Sequence, residues 1–147
     1  MKISHETSLF ALTKTVWNVL TDFPRYLEWN SILPKVEGEA VPESELKVAL
    51  HLPGWGRRNI QARVTGCIPP KYFSFESRHP WGEWFFHEEW IFRMKEQPDG
   101  VRFVAEVFVT GLSLRFRRSK VENALNRAVR NLSEALKEQV ERIENAA

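Results

Sequence analysis

The sequence contains a single cysteine, Cys67, so no internal disulfide can form, and a reducing compartment suits the chain. No apolar stretch reaches the length needed to cross a bilayer. The first residues, MKISHETSLF, lack the apolar run of a secretory signal, and the expected location is cytoplasmic. Charge is nearly balanced: the net value of +2 gives no electrostatic footprint for a nucleic-acid partner. Metal-ligand spacing is missing too. His5, His51, His79 and His87 are scattered, and Cys67 has no ligating neighbour in sequence. Gly54 and Gly56 lie outside the strand-to-helix context of a phosphate loop, and no nucleophile elbow of the G-x-S-x-G type occurs. Neither a metal nor a cofactor is expected. Repeats, low-complexity segments and domain linkers are also missing, so residues 1–147 read as one domain.

What the chain has is aromatic mass and one long amphipathic segment. Six Trp and ten Phe supply either a large core or the lining of a cavity. In residues 119–143, Val121, Leu125, Ala128, Val129, Leu132, Ala135, Leu136, Val140 and Ile143 recur at steps of three and four. They predict one apolar helical stripe about 25 residues, or roughly 37 Å, long. Ser119 and Glu122 have the spacing of a capping box at its start. Whether residues 112–118 are already helical is left open. A stripe of this length needs a wide apolar partner, and the middle of the chain offers a sheet.

Residues 2–9 alternate and predict a first strand, with Ile3, His5, Thr7 and Leu9 on one side. The period then changes. Leu12, Val16 and Leu20 share a helical face, with Trp17 beside it. Pro24 opens a second short helix carrying Tyr26, Leu27 and Trp29. Strands are expected at 35–39, 45–52, 59–68, 72–77, 83–96 and 101–110, separated by turn residues at 54–58, 69–70, 79–82 and 98–100. Short connections imply antiparallel neighbours. The expected fold is α+β: a curved antiparallel sheet of six or seven strands wrapped around the C-terminal helix, with two short helices after the first strand.

That order resembles the START-like superfamily, also known as SRPBCC, the polyketide cyclase/dehydrase and lipid-transport family. The resemblance rests on Val16-Trp17, Leu20-Thr-Asp22, Tyr26 and Glu28-Trp29-Asn30. It continues in Pro69-Pro70 before Tyr72-Phe73, in Gln97-Pro-Asp-Gly100 before Val101-Arg-Phe103, and in Gly111-Leu112 before the last helix. It implies a helix-grip fold with a cavity between sheet and helix. Many members have His at the position of Trp90 and Glu at that of Val107, so two polar groups of the inner face are replaced here by apolar ones.

Alternation, with the choice of face taken from the resemblance, assigns the cavity wall to Val48, Leu50, Phe73, Phe75, Trp90, Phe92, Val107 and Val109, closed by Leu125 and Leu132 of the helix. The small side chains of Ala105, Val107, Val109 and Ala128 favour a residual apolar pocket, entered near 54–58. Trp55, Arg57 and Arg58 then stand at the mouth, where they meet an anionic ligand group or simply form a solvated hairpin tip. Glu88 shares its face with Phe86, Trp90 and Phe92. It is either a general acid–base, with His5 as the other candidate, or a structural carboxylate paired to an Arg such as Arg63, or it is turned out to water by a local bulge. Arg115, Arg117, Arg118 and Lys120 form the basic cluster, either solvated or attractive to an anionic surface.

Three functions follow as expectations. The first is binding of a small, mostly hydrophobic molecule such as a lipid, polyketide or aromatic metabolite. The second is a cyclase- or dehydratase-type enzyme using the inward carboxylate. The third is a protein-interaction domain with a filled core. The expected partner is a small hydrophobic molecule, with no nucleic acid. A transmembrane segment is not expected, and transient membrane contact stays open, as does the oligomeric state.

Overall fold

The computed structural model describes residues 1–78, 82 and 84–146. Seven strands form one antiparallel sheet in the order β1-β7-β6-β5-β4-β3-β2. They are β1 (Lys2–Leu9), β2 (Lys35–Glu37), β3 (Glu45–Leu52), β4 (Gly56–Ile68), β5 (Tyr72–Ser77), β6 (His87–Gln97) and β7 (Gly100–Thr110). Between β1 and β2 come α1 (Thr13–Thr21), a 3-10 turn (Phe23–Arg25) and α2 (Tyr26–Trp29). The chain ends in α3 (Leu114–Ala146), which lies mainly over β1 and β7 and reaches β3. This is the helix-grip α+β arrangement. Among the described residues, no helix is long and apolar enough to cross a membrane.

Alternation set the inner face as expected. Leu46, Val48, Leu50 and Leu52 of β3 are buried, as are Ile60, Ala62 and Val64 of β4. A register shift between Val64 and Gly66 marks a bulge, which bends β4 around the core. On α3 the stripe Val121, Leu125, Ala128, Val129, Leu132, Leu136 and Val140 is buried, together with Ala124 and Ser133, which hydrophobicity alone does not pick out. Ser133 fits because its hydroxyl donates to Val129 O at 2.6 Å.

The early elements dock through few contacts. Tyr26 packs edge to face on Phe23 and on Trp29, with centroids 5.3 and 5.2 Å apart. Asn30 then closes the segment. Its Oδ1 accepts the backbone N–H groups of Ile32 and Leu33 at 3.1 and 2.8 Å, an Asx turn that satisfies both donors in a buried place. These are residues that carried the family resemblance, and their role is structural. Trp17 and Trp29 are half-buried against the core.

Several boundaries differ from the sequence reading. The strand expected at 83–96 begins at His87. Trp84 and Phe85 are in a turn, and Trp84 is exposed rather than inward. Positions 79–81 and 83 lie outside the described residues. Strand β4 starts at Gly56, three residues early, because the 54–58 hairpin is tighter than its turn residues suggested. The C-terminal helix starts at Leu114 and is broken at Arg117, whose φ/ψ of −135°/22° is non-helical, so the Ser119–Glu122 pattern sits after a kink and not at the terminus. Leu12 and Ile143 are exposed. Leu12 leads into α1, where its backbone N–H and the Thr15 hydroxyl donate to Glu144 of α3. That carboxylate caps a helix whose own N-cap residue has no side-chain acceptor.

Tyr26 makes a pH-dependent prediction. Its hydroxyl is buried and donates to Leu20 O. Burial, helped by the Asp22 carboxylate, pushes its pKa well above the usual tyrosine range. Below about pH 10 the hydroxyl is neutral in both states. Above it the unfolded chain loses the proton and the folded chain does not, so the fold loses about 1.4 kcal/mol per pH unit from this group. In Tyr26→Phe that component of alkaline destabilisation should vanish. At neutral pH the variant should lose about 1 kcal/mol, since Leu20 O is left without its partner. Urea midpoints on both sides of this pH measure both effects. Identical alkaline slopes in the two proteins would show that the hydroxyl is reached by water.

Candidate functional site

The inner ends of β4, β5 and β6 bring a small polar cluster into an apolar setting. Glu88 is buried on the inner face. Its Oε2 accepts from Arg58 Nη2 at 3.1 Å, and its Oε1 accepts from Trp90 Nε1 at 3.1 Å. The Glu88 backbone N–H donates to Ser77 Oγ at 3.1 Å. The guanidinium of Arg58 lies over the Phe86 ring, 5.5 Å from its centroid, with the side chain 29% exposed. One end of the pair is thus sunk among rings while the other reaches toward water.

The Glu88 register is as expected, but its partner is not Arg63. On β4 the even positions 58, 60, 62 and 64 face inward, which turns Arg63 to the other side. There it pairs with Glu76 at 3.0 Å and Glu43 at 3.5 Å. Parity alone could have selected Arg58. The same rule separates Arg57 from Arg58. Arg57 lines a cleft of about 680 Å³ with Phe23, Pro24, Leu27, Pro34 and Val36.

All ten residues assigned to the cavity wall are buried, none more than 2% exposed. Val48 and Leu50 come from β3, Phe73 and Phe75 from β5, Trp90 and Phe92 from β6, Val107 and Val109 from β7, and Leu125 and Leu132 from α3. The rings form a ladder. Phe73 stacks on Phe92 at 6.3 Å, Phe75 on Trp90 at 6.4 Å, and Phe92 on Phe103 at 5.9 Å. In register, Trp90 faces Val107 and Phe92 faces Ala105. The small residues of β7 therefore lie beside the large rings of β6, and both are shut off from solvent.

Trp55 stands at the hairpin end. Its ring lies 5.2 Å from both the Arg117 guanidinium and the Lys120 ammonium, which fastens the β3–β4 hairpin to the kinked start of α3. The indole Nε1 is buried and has no hydrogen-bond partner among the described residues, and neither has Ser113 Oγ at the entry to the helix. Ser113 was not anticipated, because a lone Ser before a helix carries no signal beyond capping. His5, the other acid–base candidate, is half-buried on β1 opposite Ala105, whereas Glu88 is opposite Val109. Four residues of β7 separate the two levels, about 13 Å along the strand, and the two side chains stand on opposite sides of it. They cannot serve one reacting atom. Cys67 is likewise structural in setting. Its thiol donates to Ala40 O at 3.1 Å, and burial raises its pKa.

Comparison with solved structures supports the same architecture. A START superfamily protein from Mycobacterium smegmatis superposes with a TM-score of 0.76 at 17% identity, covering 97% of this chain and 98% of that one. The hypothetical protein jhp0584 from Helicobacter pylori gives 0.80 at 11% identity, covering 95% and 88%. The di-domain ARO/CYC StfQ from the steffimycin biosynthetic pathway gives 0.78 at 10% identity, covering 98% of this chain and 51% of that one. At these identities the likeness is one of fold. Comparison with curated protein sequences gives no match. The family described as polyketide cyclase / dehydrase and lipid transport matches residues 1–141, and with strand order, helix and inner face in agreement, the chain belongs to that family.

Proposed function

We propose that the protein binds a small, mostly apolar molecule bearing an acceptor or anionic group, between the sheet and α3, with Arg58 as its polar anchor. The observation that carries this is the position of the Arg58–Glu88 pair. A buried ion pair is a poor stabiliser compared with apolar side chains of the same volume, so its place on an aromatic inner face calls for another reason. Ligand sites combine an apolar lining with a few convergent polar groups. A guanidinium has five N–H donors in a planar fork, and Glu88 takes one from Nη2. The others suit a carboxylate, enolate or quinone oxygen. Since the rings are in mutual contact, entry requires the Trp55 hairpin to swing from Arg117 and Lys120 and the ring ladder to part. The related solved proteins include an ARO/CYC di-domain, which is compatible with an aromatic or polyketide ligand.

Catalysis is the weaker reading. Both Glu88 oxygens are engaged, and His5 is out of reach of it.

A thermal-shift screen of fatty acids, sterols, quinones and aromatic polyketides, paired with native mass spectrometry, tests the proposal. At a hundredfold excess over Kd a true ligand adds about 2.7 kcal/mol. For a chain of this size that raises Tm by about 5–10 °C. Acidic compounds should outperform their neutral alcohols, and the preference should disappear in the Arg58→Met, Glu88→Leu double variant. No shift with any class, and only the bare protein mass, would leave the filled-core interaction domain as the better description.

A further inference from the structure

One end of the molecule is apolar and basic at once. Trp84 is 67% exposed, Phe85 45%, Leu112 40% and Phe116 85%. Large apolar side chains gathered in the open mark an interaction surface. Their segments lie side by side. The Trp84 and Phe85 rings meet edge to face at 6.0 Å. Leu112 N donates to Trp84 O at 3.1 Å, Ser113 N to Phe85 O at 3.0 Å, and Phe116 N to Ser113 O at 3.2 Å. Gly111 permits this close approach. At its φ of +126°, a Cβ would lie 2.2 Å from Phe85 O.

Next to Leu112 and Phe116 in the chain are Arg115, Arg117, Arg118 and Lys120, all exposed, with Arg117 and Lys120 also lying over the Trp55 ring: four cations within six positions of a chain whose net charge is +2. Apolar side chains ringed by cations match the surface of an anionic bilayer, where indole and phenyl rings settle at headgroup depth and guanidinium groups meet phosphate. Nucleic acid fits less well. Leu112 offers no stacking face, and Trp84 and Phe85, 72° apart, make no parallel platform for bases.

We infer that this end of the molecule docks on an anionic phospholipid bilayer, with Trp84, Phe85, Leu112 and Phe116 entering the interface and the basic cluster engaging phosphates. Docking does not depend on the ligand proposal, and a failed ligand screen leaves it standing.

The test is co-sedimentation of the full chain with vesicles of phosphatidylcholine alone or mixed with phosphatidylglycerol. Binding is expected to the mixed vesicles, to weaken as salt is raised, and to be slight on phosphatidylcholine alone. The Arg115→Glu, Arg118→Glu double variant should lose at least about tenfold in partitioning, and Phe116→Ser and Trp84→Ser should each weaken it. All the altered residues are exposed, so melting curves should match the parent and a binding loss cannot be a folding loss. Three outcomes overturn the inference: no binding to mixed vesicles, equal binding to both compositions, or full binding by the charge-reversed variant. Self-association abolished by Phe116→Ser, without vesicle binding, would instead identify a second copy as the occupant. Displacement from vesicles by a single-stranded oligonucleotide would identify nucleic acid. Either result also overturns it.

Discussion

Leu132→Asp should fail to fold, giving no cooperative transition by circular dichroism. Leu132 lies in the middle of the buried stripe of α3 and is itself buried. Removing the leucine side chain alone costs about 2–5 kcal/mol. An unpaired carboxylate in its place adds several kcal/mol of desolvation, or forces protonation at comparable cost. The sum approaches or exceeds the total stability of about 5–15 kcal/mol typical of a domain. Leu132→Ala is the companion measurement. It should fold and melt cooperatively at a lower temperature, which separates the charge from the cavity. An unchanged melting curve for the Asp variant would mean that α3 does not rest on the sheet through this residue.

The second large effect concerns the inner ion pair. Arg58→Met leaves the buried Glu88 carboxylate, beside Trp90 and opposite Val109, without its counter-charge. Breaking a fully buried pair costs about 3–5 kcal/mol. Arg58 is partly exposed, so water relieves some of that penalty and a loss of about 2–4 kcal/mol is expected. Adding Glu88→Leu should recover most of the loss, because an apolar pair of similar volume needs no desolvation. Urea unfolding of the two single variants and the double variant closes the cycle. If the single losses simply add, the two groups are independent, and the pair gives no support to a ligand site. If the double variant is as stable as the parent or more so, the pair contributes nothing to stability and its place at the mouth needs a functional reason.

The strands with clean alternation were legible to the residue. β1, β3 and β5 run over Lys2–Leu9, Glu45–Leu52 and Tyr72–Ser77, as period-two patterning predicts. The stripe of α3 was legible for the same reason: both periodicities are local properties of the backbone, repeated often enough to outweigh any one exception. Glu88 followed from parity, once the resemblance had chosen which face is inner. Where the local pattern fails, so did the reading. The alternation of 83–86 continues that of β6, but at least Trp84 and Phe85 turn away, held by backbone bonds to 112–113 on a distant segment. The start of α3 is similar. Ser119 and Glu122 have the composition of a cap, yet the chain was already helical from Leu114, with a break at Arg117 where Trp55 packs against its side chain.

By itself, then, the sequence determined the α+β class, the order of its elements, the inward set of side chains and the membership suggested by Trp17, Tyr26 and Trp29-Asn30. Tertiary structure decided how these side chains meet. Cross-strand register placed Trp90 against Val107 and Phe92 against Ala105, so that large rings and small side chains lie side by side on the inner face. It set Arg58 rather than Arg63 beside Glu88, separated His5 from Glu88 by the length of several residues of β7, and brought 84–85, 112–116 and the basic cluster into one surface. The physical reason is that periodicity says which way a side chain points, while its neighbours depend on register and on which distant segments share an end of the sheet. Those are set by the packing of the whole chain at once.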